Sequence, residues 1–146
     1  MPRIYVSQKI TQDTLSVSDA DQLHHLRDVL RLKTGDRITV FDSEGCEYTA
    51  AIAGWEKKQV LLSIQACRPP QPERYRISVA CAVPKKSRLD DVVDKLTQLG
   101  VSAIIPLNTE RVVARLTEKE DARLERWRRI ARSAAEQSRR TTLPAI

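Results

Sequence analysis

The sequence predicts a two-domain chain, α+β followed by α/β: a small β-barrel and then the opening βαβα part of a basic α/β domain. Three observations predict this. Mostly short strand-like segments, separated by turn residues, fill residues 1–70. Three prolines within four residues, Pro69, Pro70 and Pro72, continue neither a helix nor a central strand, so they mark a boundary. Past them, across residues 74–146, an apolar strand, an amphipathic helix and a second apolar strand follow within about 30 residues, the signature of a βαβ unit.

In the first part, Arg3 to Val6 and Thr14 to Val17 read as strands. Ser18 opens a helix, with Asp21 three residues on in a capping-box position, and Leu23, Leu26 and Leu30 repeat at helical spacing. Lys33-Thr34-Gly35-Asp36 is a turn. Arg37 to Phe41 is a strand with Ile38 and Val40 on one face. Asp42 to Gly45 is a hairpin loop, and Tyr48 to Trp55 and Val60 to Ile64 are further strands. Some five strands around one helix suit a small barrel.

In the second part, Ile77 to Val83 is a buried-type strand. Ser87 caps a helix whose Leu89, Val92, Val93, Leu96 and Leu99 form its apolar face, and Gly100 ends it in the left-handed manner. Val101 to Leu107 is the next strand. Thr117 to Glu120 is a capping box for a long helix reaching Ser138. On that helix Leu124, Trp127, Ile130, Ala131, Ala134 and Ala135 share one arc, while Arg126, Arg128, Arg129, Arg132, Arg139 and Arg140 mostly occupy the other, with Glu125 and Glu136 as the acids among them.

Charge separates the two parts. Residues 1–73 carry 9 Lys/Arg against 10 Asp/Glu, a net of −1; residues 74–146 carry 16 against 9, a net of +7. The second part is therefore suited to a polyanion, although charge alone does not separate nucleic acid from an acidic protein or an anionic lipid. Apolar runs such as Val60 to Leu62 are too short for a membrane span, and MPRIYVSQKI lacks the pattern of a secretory signal; the expectation is a cytoplasmic protein with no membrane. Three dispersed cysteines (Cys46, Cys67, Cys81) and an adjacent histidine pair (His24, His25) argue against a disulfide framework or a metal site. One of the two histidines should be half-buried and the other exposed.

Chemistry is expected where strands end. Val83-Pro84-Lys85-Lys86-Ser87-Arg88 links a strand to a helix N-terminus at the edge where open α/β sheets bind ligands, so Lys85 and Lys86 are phosphate-binding candidates; the plainer reading is a solubilising loop. Asn108-Thr109-Glu110-Arg111 follows the second strand at the same edge, where Glu110 and Arg111 either position a substrate or form a surface ion pair. Glu136-Gln137-Ser138-Arg139-Arg140 combines arginines suited to phosphates with a glutamine able to read a base edge; helix-end cations explain the arginines but not Gln137. Arg27, Arg31, Lys33 and Arg37 form a basic strip on the first part, equally readable as a solvated face. No catalytic residue emerges: no nucleophile stands beside a base, and no carboxylates pair.

Pro2-Arg3-Ile4-Tyr5, His25 to Asp36, Lys86 to Asp90 with Lys95 to Val101, Thr109-Glu110-Arg111 and Ala135 to Arg140 stand in an order that resembles the RsmE family of 16S ribosomal RNA (uridine-N3) methyltransferases. The resemblance implies a PUA-like RNA-binding β-barrel over 1–70 and the N-terminal half of a SPOUT-type domain over 74–146. It implies S-adenosylmethionine as cofactor, small-subunit ribosomal RNA as partner, and a homodimer. It further implies RNA contacts from Arg3 and Arg31, and from Lys86, Glu110, Arg111, Glu136, Gln137 and Arg140, with the family's basic residue aligning on Arg140 rather than Arg139. The family continues past the position of Ile146 with the loops that hold the methyl donor, so the chain reads as truncated before its cofactor-binding knot and inactive alone. A non-catalytic RNA-binding module is the alternative. Lys86 and Arg140 are expected to be exposed, so that replacing either weakens RNA binding and spares stability.

Overall fold

The computed structural model describes residues 1–70, 72, 75–84, 88–109 and 120–146. The chain divides into two compact units, Met1–Gln71 and Pro72–Ile146.

In the first unit five strands, β1 (Arg3–Tyr5), β2 (Thr14–Val17), β3 (Arg37–Phe41), β4 (Glu47–Trp55) and β5 (Val60–Arg68), form one mixed sheet in the order β1-β3-β4-β5-β2. The β1–β3 pair is parallel and the others are antiparallel. The β4–β5 register shifts twice, at Gln65 of β5 opposite Thr49/Ala50 and at Ala53 of β4 between Ile52 and Gly54; such bulges bend and twist a strand. One face of the sheet closes over Ile4, Leu15, Val17, Ile38, Val40, Ala50, Ile52, Val60 and Leu62, with Leu26 from the helical segment filling the centre at 0% exposure. Side chains that alternate along each strand put Arg3, Tyr5 and Phe41 on the opposite face. There the Arg3 guanidinium lies 5.2 Å from the centroid of the Phe41 ring and pairs with Glu47, and the Tyr5 ring packs 5.4 Å away.

The helix between β2 and β3 differs from the sequence expectation at both ends. Its N-cap is Asp19, whose carboxylate accepts from Gln22 N at 3.0 Å, rather than Ser18. After α1 (Ala20–His24) the backbone widens into a π-turn over His25–Val29, and the Leu30 amide bonds to His25 O at 2.9 Å. A wider turn rotates the later side chains. Leu26 therefore stays in the core, whereas Val29 and Leu30 are turned outward. Both histidines are exposed, not one, and His24 Nδ1 meets Asp28 Oδ2 at 2.7 Å.

Asp42 ties three parts of the first unit together. It is 1% exposed, and its carboxylate accepts from the amides of Glu44 and Cys46 at 3.0 Å, from the Ile10 amide at 3.3 Å and from the Tyr48 hydroxyl at 3.0 Å. An anion saturated by four donors can be buried where a bare one cannot.

In the second unit β6 (Ser78–Ala82) and β7 (Ala103–Leu107) pair in parallel, joined through α2 (Arg88–Leu99). Gly100, at φ +95°, takes the left-handed cap, and its amide bonds to Leu96 O at 3.2 Å and Thr97 O at 3.1 Å. The core gathers Val83, Leu89, Val93, Val101, Ile104, Trp127 and Ala131. Leu99, expected on the buried face of α2, is 80% exposed, and Thr97 is fully buried instead. At about 100° per residue Thr97 lies nearer than Leu99 to the line through Leu89 and Val93. The long helix α3 (Glu120–Ser138) buries Trp127, Ala131, Ala134 and Ala135, the arc read from the sequence, with Leu124 and Ile130 at its margins. Beyond it Ala145 forms an isolated parallel bridge with Ala103 beside β7. Among the described residues no helix is long and apolar enough to cross a membrane.

Replacing Asp42 with Asn turns an acceptor into a donor facing N–H groups. Asp42→Asn should lower unfolding stability by about 1–3 kcal/mol in urea titrations. Burial first, and then its hydrogen bond to Asp42, push the Tyr48 phenol above its ordinary value of 10.0. The unfolded chain then releases this proton at a lower pH than the folded one, so the neutral phenol's contribution is complete below pH 10.0 and is lost as pH rises above it. The wild type should lose stability in that range about 1.4 kcal/mol per pH unit faster than Tyr48→Phe, as read by urea midpoints from pH 9 to 11.

Candidate nucleic-acid interface

In the first unit the basic strip read from the sequence divides by environment. Arg37 is exposed at the start of β3. Arg31 ends the π-turn in the left-handed conformation, at φ +54°, with its side chain exposed. A residue other than Gly or Asn pays steric strain there, which the Leu32 amide helps hold by bonding to Leu26 O at 3.0 Å. Lys33 is exposed, in a turn closed by Asp36, whose carboxylate accepts from the Lys33 amide at 2.7 Å. Arg27 is exposed but ordered: its guanidinium carbon sits 4.8 Å from the centroid of the Trp55 ring, and Nη2 donates to Glu56 O at 2.7 Å. Arg3 differs from these. Its side chain is 11% exposed and is committed to Glu47 and the Phe41 ring, so it holds β1 to its neighbours.

In the second unit the parallel pairing places the C-terminal ends of β6 and β7 at one edge. The pairing continues past Ala82, where the Val83 amide bonds to Leu107 O at 3.3 Å. Val83-Pro84 and Asn108-Thr109 leave the sheet there. The candidates Lys85, Lys86, Glu110 and Arg111, and the proposed caps Ser87 and Thr117, lie outside the described residues.

The end of α3 lies at the other edge. Arg140 Nη1 donates to Thr97 O and to Val101 O, both at 3.0 Å, and Nη2 donates to Thr142 Oγ1 at 3.0 Å. Thr97 and Val101 flank the turn that leads into β7, so Arg140 satisfies carbonyls at the C-terminus of α2. It is half-buried, not exposed as the sequence suggested. Glu136 is half-buried in the last turns of α3, Gln137 is exposed, and Arg139 is exposed at φ +60°. The strand length, roughly 13 Å for a five-residue strand, separates this group from the loops after β6 and β7.

The cationic arc of α3 is also less open than its sequence. Arg126 pairs with Asp90 of α2, which accepts in addition from Trp127 Nε1 at 3.1 Å. Arg128 pairs with Glu125 at 2.6 Å. Asp90 and Arg140 thus fasten α3 to the two ends of α2, and the two helices run in the same direction. Asp90 was missed by sequence reasoning, because its partners lie 36 and 37 residues away. Trp55 was read only as a strand residue, and Lys57 and Lys58, exposed between β4 and β5, carried no motif.

Arg140→Ala should lower the stability of this unit by about 1–3 kcal/mol, since it strands two carbonyls at the end of α2. Arg129→Ala, on an exposed residue of the same helix, should change it by less than about 0.5 kcal/mol, both read by thermal unfolding.

Comparison with known proteins places this geometry. Residues 17–65 match the RNA methyltransferase PUA domain, and residues 71–146 match the RNA methyltransferase domain. Ribosomal RNA small subunit methyltransferase E of Bacillus subtilis is 31% identical over 135 residues, covering 91% of this chain and 52% of that protein. Its counterpart in Synechocystis is 34% identical over 143 residues, covering 98% and 46%. The chain spans about half the length of these curated relatives. Among solved structures, a putative methyltransferase from Legionella pneumophila in complex with the bound cofactor SAM superposes with a TM-score of 0.87 at 31% identity, covering 98% of this chain and 60% of that one. Ribosomal RNA small subunit methyltransferase E from Neisseria gonorrhoeae bound to S-adenosyl methionine superposes with 0.86 at 31% identity, covering 100% and 60%. With both domains present in that order, the chain belongs to the RNA methyltransferase family typified by ribosomal RNA small subunit methyltransferase E.

Proposed function

We propose that this chain supplies the RNA-binding surface and the first strands and helices of the catalytic domain of an S-adenosylmethionine-dependent enzyme that methylates N3 of a uridine in 16S ribosomal RNA. The observation that carries the reading is the ordered pair of domain matches, PUA then methyltransferase, across residues 17–65 and 71–146. On this reading the first unit is a PUA-like barrel, the second is the start of a SPOUT-type α/β domain, and the working enzyme is a homodimer. The net charge of +7 over residues 74–146 supports a polyanionic substrate.

Arg27, Arg31, Lys33 and Gln137, which the fold leaves exposed, make the RNA contacts, joined by Lys85, Lys86, Glu110 and Arg111. The arginines and lysines grip phosphates and set the register of the strand, while Gln137 has the donor and acceptor to meet a base edge. Arg3 and Arg140 serve RNA binding indirectly, each within its own unit, by holding β1 and α2 in place. Glu136 belongs to the last turns of the same helix and is half-buried there.

The cofactor does not fit the described residues. A nucleoside held at the strand ends needs close backbone approach, which glycine provides. Of the chain's four glycines, Gly35, Gly45 and Gly54 lie in the first unit, and Gly100 sits before β7, at the edge away from the ligand side. No step of the reaction is therefore assigned to a residue of this chain beyond binding and orienting RNA.

Two measurements test the reading. The product of the whole locus, incubated with S-adenosylmethionine and unmodified 16S ribosomal RNA, should yield 3-methyluridine on nucleoside mass spectrometry; methylation of another base or atom would sink the assignment. The 146-residue chain should bind a ribosomal RNA fragment with affinity that falls steeply between 50 and 200 mM salt, on the order of a hundredfold or more, while calorimetry with S-adenosylmethionine shows no tight binding. A salt-independent affinity would point to an adaptor for proteins instead.

A further inference from the structure

We infer that Arg27, held over the Trp55 ring, is a platform on which an unpaired RNA base stacks, with Lys57 and Lys58 holding the adjoining phosphates. The inference rests on the RNA-binding reading of the first unit and adds to it a site, a ligand form and a mode of contact.

Trp55 ends β4, and its half-buried indole packs against the core cluster. The Arg27 guanidinium lies over this ring, 4.8 Å from centroid to guanidinium carbon. The hydrogen bond from Nη2 to Glu56 O, 2.7 Å, restrains the group further. A long side chain is thus held in one orientation before any ligand arrives, so little rotamer entropy remains to be lost on binding. Arg27 is nonetheless exposed, so the tryptophan supports the guanidinium without enclosing it. A delocalised, planar cation presented in this way is a surface on which nucleobases stack.

The neighbouring hairpin supplies the rest. The turn between β4 and β5 is closed by the Glu56 amide bonding to Gln59 O at 2.9 Å. The Glu56 carboxylate is occupied inside the turn, accepting from Gln59 Nε2 at 2.6 Å. Lys57 and Lys58 stand exposed at the tip, next in sequence to the carbonyl that anchors Arg27. A stacking plane beside two cations fits a single strand, whose bases are accessible. In a duplex the bases are stacked on one another, and only the phosphates meet the lysines.

The test separates plane from charge. Fluorescence anisotropy would measure the affinity of the full 146-residue chain for labelled oligouridine and for an RNA duplex of equal length. Arg27→Lys keeps the charge and loses the plane. It should weaken oligouridine binding about tenfold and leave duplex binding within about twofold. Lys57→Ala loses charge alone and should weaken both ligands by a similar factor. Arg27→Ala should weaken both, and oligouridine more. Lys57→Ala should melt with the wild type, whereas the Arg27 variants give up the guanidinium contact with Trp55 and the hydrogen bond to Glu56 O and should melt a few degrees lower, so every affinity is read well below the transition. Oligouridine binding by Arg27→Lys at wild-type strength, or equal losses on both ligands, overturns the platform and leaves RNA binding standing. A wild-type chain that binds neither RNA overturns the RNA-binding reading itself.

Discussion

A parallel strand pair sends the helix that joins it from one edge of the sheet to the other, and that constraint organises the second unit. β6 and β7 end together, so Val83-Pro84 and Asn108-Thr109 leave from a common edge. α2 must then return to the opposite edge to begin β7, and α3, running alongside it, finishes there too. The strand ends after β6 and β7 and the end of α3 are thereby set at two edges about one strand length apart.

The contacts that hold α3 explain why its basic arc is not simply a phosphate-binding ridge. Asp90 takes up Arg126 and the Trp127 indole near the start of α2. Arg140 takes up the carbonyls of Thr97 and Val101 at its end. Each contact spends cationic side chains on fixing the helix, and in doing so decides which residues, Arg129, Gln137 and Arg139 among them, stay exposed. In the first unit the Arg3 contacts with Glu47 and Phe41 hold β1, while Arg27, Arg31 and Lys33 are exposed. An arginine's function here follows from whether its five donors meet carbonyls and carboxylates of the fold or remain available to a ligand.

Much of the fold was legible along the chain. The β-strand over Thr14–Val17, the α2 cap at Gly100, the apolar arc of α3 and the parallel crossover all follow from period, turn chemistry and chirality. The misreadings share a cause. Spacing alone puts Leu99 on the apolar face of α2 and carries a regular helix on to Leu30, yet Leu99 falls off the buried line of α2 and the π-turn rotates Leu30 away. Ser18 and Asp19 are both good caps, and backbone geometry chose the second.

By itself the sequence determined the order of elements, the concentration of positive charge in residues 74–146 and the family motifs, because these depend on local periodicity, composition and residue identity. Only the tertiary structure decided which cations hold the fold and which are presented to a ligand. It committed Arg140 to α2 and Arg3 to Glu47, and it oriented the exposed Arg27 over Trp55, pairings between residues far apart in the chain that no local pattern encodes. The physical reason is that a guanidinium has no intrinsic role: its long side chain reaches whichever acceptor or ring the folded backbone brings within a few ångströms.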